Sequence, residues 1–323
     1  MVLLLVLGVL LFLPIPLAGD SYVIFVLILC NFYAILAVSW DLILGYGNQL
    51  SFAHTGLLAF GAYGSAFLIN LTGISPILGL LFGGALAAVV GLALGFICLR
   101  LRGIYFALAT WGFAGMVQLL LIAEYNITGG LNGFPTKTLL PTSEYATPLY
   151  YYYAALVILA LCALTTYKLI HSTYGLSLIA MGDNEEAVGA YGINVTWLKV
   201  SVFCISSFWV GVAGSFYAHL LGYVSPAIAD FITVMVMVAA CTIIGGVGTF
   251  IGPLLGAFVM YPTSEIIRTY GAEIQQLIFA LVILLALKFL RNGIVGLISS
   301  RNNLLQRINA KISKTEKNPQ HVK

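Results

Sequence analysis

Long stretches without a charged residue dominate this sequence. Asp, Glu, Lys and Arg are absent from seven such stretches, the longest of which is 42–99. A helix needs about 20 apolar residues to cross the hydrocarbon core of a bilayer, and several stretches exceed that length. Only helices and closed barrels satisfy the whole backbone in lipid, and runs this continuous lack the alternation of barrel strands. The sequence therefore predicts an all-α, polytopic integral membrane helical bundle.

About ten segments are predicted to cross the membrane as helices, some of them interrupted at glycine-rich positions. Lys and Arg favour the cytoplasmic side, and eight of the 14 basic residues lie from Lys288 onward. The C-terminus is therefore predicted to be cytoplasmic, and an even number of spans places the N-terminus there too. Arg100, Arg102 and residues 171–197 are then cytoplasmic, and the loop 124–148 lies outside. The predicted spans are 2–18, 22–44, 51–70, 76–99, 104–123, 149–170, 198–221, 229–247, 252–268 and 273–291.

The domain organisation is predicted to be simple, with one transmembrane permease domain over 1–297 and a basic cytoplasmic tail over 298–323. From Arg301 onward the tail carries six basic residues and one acid, and its end is predicted to be disordered. Residues 1–18 lack the basic start of a signal peptide. We therefore interpret them as a retained first helix.

One polar segment, residues 171–197, interrupts the apolar chain and carries a cluster of acids. Residues 183–191 suit a short helix with acids in its first turn, where the helix dipole favours them, and Gly192 is expected to end it. Because charge is costly in a membrane protein, we interpret the cluster as a contact with a soluble ATPase. The alternative is a solvated loop with incidental charge. The candidate coupling residues are Asp183, Asn184, Glu185, Glu186, Ala187 and Gly192.

Two glycine blocks, 45–64 and 245–256, stand out. Transporters often build their substrate route from interrupted helices in corresponding positions of two halves. Small residues also let helices pack closely in lipid, so packing alone is an alternative explanation. Gly252 and Gly256, like Gly91 and Gly95, have the four-residue spacing of such packing positions.

The first glycine block also holds the most polar residues near any span. These side chains offer hydrogen bonds to a polar solute, although a simple helix start with Ser51 as its N-cap is the alternative. Together with glycines of the second block they form a candidate translocation path. Its residues are Asn48, Gln49, Ser51, His54, Thr55, Gly245, Gly246 and Gly248.

Catalytic and metal-binding patterns are missing from the sequence. The four histidines are far apart, no phosphate-binding Gly-Lys loop occurs, and no Ser occupies a nucleophile elbow. We therefore expect no enzyme activity, no metal and no bound cofactor. An ion-coupled carrier normally needs a carboxylate at mid-depth, whereas Asp41, Asp230 and Glu265 lie near the ends of spans or late in one.

Five motifs occur in a fixed order along the chain. They are GYGNQLSFAHTG at 45–56, RLRGIYFAL at 100–108, TGGLNG at 128–133, DNEEA through YGINV at 183–195, and GGVGTFIGPLLG at 245–256. Together they resemble the permeases of branched-chain amino-acid ABC transporters, of the larger of the two paired subunit types. The likeness runs from about residue 25 to 297. Two positions depart from the family pattern, Gly182 where an Arg is usual and Asn292 where a Pro is usual.

This resemblance implies a multi-pass subunit of the bacterial cytoplasmic membrane. The partners would be a second homologous permease, two cytoplasmic ATPases that bind ATP and Mg, and an extracytoplasmic solute-binding protein, with no nucleic acid. The implied substrates are leucine, isoleucine and valine. Urea or short amides, carried by relatives of the same architecture, are an alternative, as is an ion-coupled secondary carrier acting alone.

Overall fold

The computed structural model describes residues 2–14, 16, 19–98, 101, 103–139, 147–269, 271–289, 293–294 and 296. The predicted basic turn at Arg100 and Arg102, the unusual Asn292 and the predicted tail 298–323 lie outside the described residues.

Helices make up most of the described chain. Two π-helical turns, Leu42–Tyr46 and Phe231–Met235, and two 3-10 turns, Gly130–Asn132 and Pro226–Ala229, accompany the α-helices. The strands β1 (Phe134–Pro135) and β2 (Tyr223–Val224) form a two-residue antiparallel pair. The α-helices are α1 (Val2–Phe12), α2 (Ser21–Asp41), α3 (His54–Thr72), α4 (Pro76–Cys98), α5 (Ile104–Ala123), α6 (Tyr125–Thr128), α7 (Thr147–Ile170), α8 (Thr173–Asp183), α9 (Glu185–Ala190), α10 (Val195–Leu221), α11 (Val236–Gly245), α12 (Gly252–Arg268) and α13 (Ala272–Phe289).

Each of the ten predicted spans contains helix, and among the described residues six helices are long and apolar enough to cross a membrane. A polytopic helical membrane protein is thereby confirmed, whereas the count of ten spans stays a prediction. The helices α1, α11 and α12 have 11, 10 and 17 residues. The six long spans are Ser21–Tyr46, His54–Thr72, Pro76–Ile97, Ile104–Ala123, Pro148–Ile170 and Val195–Leu221.

Helix α2 lies at the centre of the bundle. It is apolar on all sides, and such a helix is stable only when it is surrounded. In its most apolar window 78% of the residues are buried, against 28% for α5. It packs against α7, α10, α11 and α12, while α3, α4 and α10 form a second closely packed group beside it.

The bundle has two ends, which we call the Gly45 end and the Glu265 end. Helix α2 begins at the Glu265 end, where the Tyr22 hydroxyl donates to Glu265 Oε1 over 3.1 Å. It leads through the π-helical turn to Gly45, beside Gly248. Asn48 donates from Nδ2 to the Gly182 carbonyl over 2.9 Å, which places the polar segment at the Gly45 end. The predicted separation of the polar segment from the loop 124–148 agrees with this arrangement, because β1 pairs with β2 at the Glu265 end.

Candidate functional site

The two glycine blocks meet at the Gly45 end. A methyl group on Gly45 would overlap Asp41 Oδ1 and would lie 2.5 Å from the backbone nitrogen of Gly248. The Gly248 N–H donates to Asp41 Oδ1 over 2.8 Å, and Asp41 itself is 2% exposed. Sequence reasoning treated Asp41 only as a carboxylate near a span end. The structure makes it the link between the two blocks.

The second block connects α11 to α12. Gly246 and Gly248 have φ of 123° and 72°, values that favour glycine, so they form the connecting turn. Gly245 and Gly252 lie against each other, and Gly256 lies against the carbonyl of Cys241 on α11. The first block leads from the π-helical turn into α3, and the second connects α11 to α12. The interruption of a membrane-spanning helix at these glycines stays a prediction.

The other two expected packing glycines, Gly91 and Gly95, belong to α4 and lie where it packs against α10. A methyl group on Gly91 would overlap the Ser207 hydroxyl, and one on Gly95 would lie 3.4 Å from the Cα of Val200. Both glycines thus face the helix that α4 packs against.

Residues 48–51 form an irregular turn before α3. Asn48 has φ of 49° and an exposed side chain, which donates to the Gly182 carbonyl. Gln49 is half-buried, and its Nε2 has no hydrogen-bond partner among the described residues. The alternative that Ser51 is an N-cap is wrong, because α3 begins at His54 with Ala53 as N-cap. The Ser51 hydroxyl instead accepts from the Ala53 N–H over 3.3 Å, a local Ser turn that competes with helix.

His54 ties α3 to α2 and α10 in the buried core. The Ser206 hydroxyl donates to the Ser39 carbonyl over 2.6 Å and lies 3.2 Å from His54 Nε2. Because a hydroxyl has one proton, His54 is assigned as the Nε2–H tautomer, donating to Ser206. Its Nδ1 and the neighbouring Thr55 hydroxyl have no partner in the described part of the chain.

Replacing Ser206 by alanine is expected to destabilise the subunit by about 1–3 kcal/mol, because His54 is left with a buried N–H that lacks an acceptor. The matched control is Ser207→Ala on the same helix. Ser207 is equally buried but donates only within α10, to the carbonyl of Phe203. Thermal unfolding of the purified subunit in detergent would compare the two. Equal losses would show that the bridge between helices contributes nothing.

The polar segment differs from its prediction at both ends. Asp183 is the last residue of α8, and Asn184 caps α9 by accepting from the Ala187 N–H over 3.0 Å. The predicted helix 183–191 is therefore wrong in its bounds, since only 185–190 are helical in α9. The cause is local, because the Asn side chain supplies the cap that starts a new helix. Gly192 follows the helix with φ of 82°.

The candidate coupling side chains divide into two groups. Glu185 Oε1 forms an ion pair with Lys199 Nζ over 2.8 Å, beside a 150 Å³ cavity that Asn48 and Gln49 also line. Asp183, Glu186 and Ala187 are exposed, together with Gly192. The first turn of α9 thus presents one acid inward and one outward. The bonds of Asn48 and Lys199 join this segment to the bundle.

The described part of the chain contains no group of three or more His, Cys, Asp or Glu side chains that could hold a metal ion. The site consists of hydrogen bonds, close helix contacts and an exposed acidic turn. Such an arrangement is suited to moving helices against each other.

Residues 22–287 match the family described as the permease component of branched-chain amino acid transport systems. The chain belongs to this family. The resemblance drawn from the motifs is thereby confirmed, and the chain is a membrane permease subunit rather than an enzyme.

The permease is also similar to several individual proteins. It is 28% identical over 278 residues to the high-affinity branched-chain amino acid permease LivM of Escherichia coli, covering 78% of the chain and 65% of LivM. It is 29% identical to the fructose import permease FrcC of Rhizobium meliloti over 42% of the chain and 39% of FrcC. It is also 28% identical to the autoinducer 2 import permease LsrC of Yersinia pseudotuberculosis over 56% of the chain and 53% of LsrC. No solved structure matches the chain.

Proposed function

We propose that this permease forms the translocation pathway of an ATP-driven ABC importer for leucine, isoleucine and valine. The observation that carries the proposal is the family match over residues 22–287. The similarity to LivM over 78% of the chain supports the choice of solute.

In this proposal the exposed acids of α9 dock onto a cytoplasmic ATPase. Movement of α9 passes to the bundle through Asn48, which holds the Gly182 carbonyl. Asn48 follows the π-helical turn that contains Gly45, and Gly45 contacts Gly248. A push on the polar segment is thus transmitted to α2 and to the α11–α12 connection as a rigid-body motion.

The remaining machinery follows from the same proposal. A second homologous permease completes the pathway, two ATPases bind ATP and Mg, and an extracytoplasmic protein delivers the solute. The subunit lies in the bacterial cytoplasmic membrane with both termini in the cytoplasm. This permease itself binds neither nucleotide nor metal.

One alternative solute class has an observation in its favour. FrcC and LsrC, named for import of fructose and autoinducer 2, align with 42% and 56% of the chain. An uncharged, hydroxyl-rich solute is therefore the second candidate.

Purification and reconstitution test the proposal. The subunit is captured from native membranes in mild detergent, its partners are identified by mass spectrometry, and the complex is reconstituted with the binding protein. We expect two ATPases, a second permease and ATP-dependent uptake of labelled leucine. Uptake of only fructose or urea would overturn the choice of solute. Ion-driven uptake by the subunit alone would overturn the ABC mechanism.

A further inference from the structure

A cavity of 840 Å³ opens at the Glu265 end of the bundle. Its size falls within the roughly 300–1,000 Å³ of typical ligand sites. Residues of α2, α3, α10, α11, α12 and α13 line it, together with β2 and the turns that follow β2. None of the eight candidate path residues is among the described residues that line this cavity, although Leu58 of the first glycine block is.

The wall of this cavity is mainly apolar and aromatic. Leu29, Phe32, Met237 and Phe279 line it, and each is less than 9% exposed. The rings of Tyr33 and Tyr261 stack beside them with centroids 5.0 Å apart. Burying an aliphatic side chain against such a wall is favourable, because it removes apolar surface from water.

Two opposite charges stand at the rim, one helical turn apart on α12. Glu265 Oε2 lies 3.6 Å from Arg268 Nη1, and the two side chains are 16% and 63% exposed respectively. At 3.6 Å the two groups attract each other but are too far apart for a hydrogen bond. The guanidinium therefore keeps donors that can bind another carboxylate, in the bidentate geometry that Arg favours.

Only 16% of the Glu265 side chain is exposed, and removing a carboxylate from water is costly unless it is paired or hydrogen-bonded. Its Oε1 accepts from the Tyr22 hydroxyl over 3.1 Å, which orients the carboxylate at the cavity rim. Nearby, Gln275 Nε2 donates to Ser264 Oγ over 2.5 Å, so the rim carries neutral polar groups as well.

We propose that this cavity binds a zwitterionic amino acid with an aliphatic side chain. The Glu265 carboxylate holds the α-ammonium group, the Arg268 guanidinium holds the α-carboxylate, and the aliphatic side chain packs against the apolar wall. The identity of the amino acid rests on the proposed function. The charge pair matches a zwitterion, whereas a sugar or urea carries no charge for it to bind.

A phospholipid with an ammonium headgroup shares this chemistry, because it also joins opposite charges to an apolar chain. The test therefore uses the complete transporter in nanodiscs of phosphatidylglycerol alone, without the solute-binding protein. Equilibrium binding of labelled leucine is measured for the wild type, Glu265→Gln and Arg268→Gln. Glu124→Gln is the control, since Glu124 is exposed and lies outside the residues that line the cavity.

We expect tenfold or weaker leucine binding in each cavity variant and unchanged binding in Glu124→Gln. Leucine analogues identify the role of each charge. Glu265→Gln should bind 4-methylpentanoate, which lacks the ammonium, as well as the wild type does. Arg268→Gln should likewise bind 3-methylbutylamine, which lacks the carboxylate, with wild-type affinity.

Two results would overturn the proposal. One is unchanged leucine affinity in both variants of a transporter that imports leucine. The other is native mass spectrometry showing a retained phospholipid that saturating leucine does not displace. Failure of the proposed function has a different signature, namely a wild-type complex that imports no branched-chain amino acid.

Discussion

Replacing Gly256 by alanine is expected to lower the thermal unfolding temperature of the isolated subunit by several degrees. The added methyl group would overlap the carbonyl oxygen of Cys241 and lie 3.1 Å from the backbone nitrogen of Gly245. Both contacts are with backbone atoms of α11, which cannot rotate away as a side chain does. The two helices must separate, and overpacking of this kind costs about 1–3 kcal/mol.

The matched control for this prediction is Gly112→Ala in α5. A methyl group on Gly112 meets nothing within 4 Å among the described residues, so the same chemical change occurs in open space. Alanine is the better helix former by about 1 kcal/mol, so this variant should be unchanged or slightly more stable. Equal unfolding temperatures for the two variants would mean that α11 and α12 do not depend on close contact at Gly256.

The helices were predictable because their signal is local. Each of the ten apolar segments contains a helix, since a continuous apolar run has one stable backbone structure in lipid. Sequence spacing also singled out the glycines of α4 and α12, and in the structure an added methyl group on Gly91 or Gly256 would meet atoms of the neighbouring helix. The errors in helix bounds arose where the hydrogen bond of a single polar side chain decided between two local backbone structures. Ser51 forms a turn before α3, and Asn184 caps α9.

The contacts that join distant parts of the chain were not predictable. Asp41 and Gly248 are 207 positions apart, and Ser39 and Ser206 are 167 apart. Neither pair leaves a periodic pattern, because one hydrogen bond needs only one residue at each position. The available signal for Asp41 was a single acid between two uncharged stretches, 21–40 and 42–99, four residues before a glycine block. It was interpreted as a residue near a span end.

The cavity at the Glu265 end was missed for a related reason. Its wall is assembled from six α-helices, several of them far apart in sequence, and each contributes residues that look like ordinary lipid-facing positions. The sequence does place Glu265 and Arg268 three residues apart, on one side of a helix. The pair becomes recognisable as a candidate site only in the structure, where Tyr22 and the apolar wall lie beside Glu265 and Arg268.

Reversing the exposed charge of α9 with Glu186→Lys is expected to reduce ATPase capture and ATP-driven uptake at least tenfold. Glu186 lies in the first turn of α9 and forms no ion pair among the described residues. The bundle should therefore fold normally, apart from a helix-dipole cost of about 0.3–1 kcal/mol. In the proposed complex, however, the new Lys faces a surface suited to an acid. Like charges brought together there cost several kcal/mol, and about 1.4 kcal/mol already corresponds to a tenfold loss of affinity.

Capture of the ATPases in detergent, followed by their ATP hydrolysis in the purified complex, measures this effect directly. Glu124→Lys makes the same change of charge on an exposed residue at the opposite end of the bundle and should retain both ATPases. Glu185→Lys is a second comparison, because it also removes the ion pair with Lys199. This variant should therefore lower the unfolding temperature of the subunit, whereas Glu186→Lys should affect mainly the binding of the ATPases. If Glu186→Lys captured the ATPases as fully as Glu124→Lys does, α9 would not be the docking element, and the link from Asn48 to Gly182 would have only a structural role.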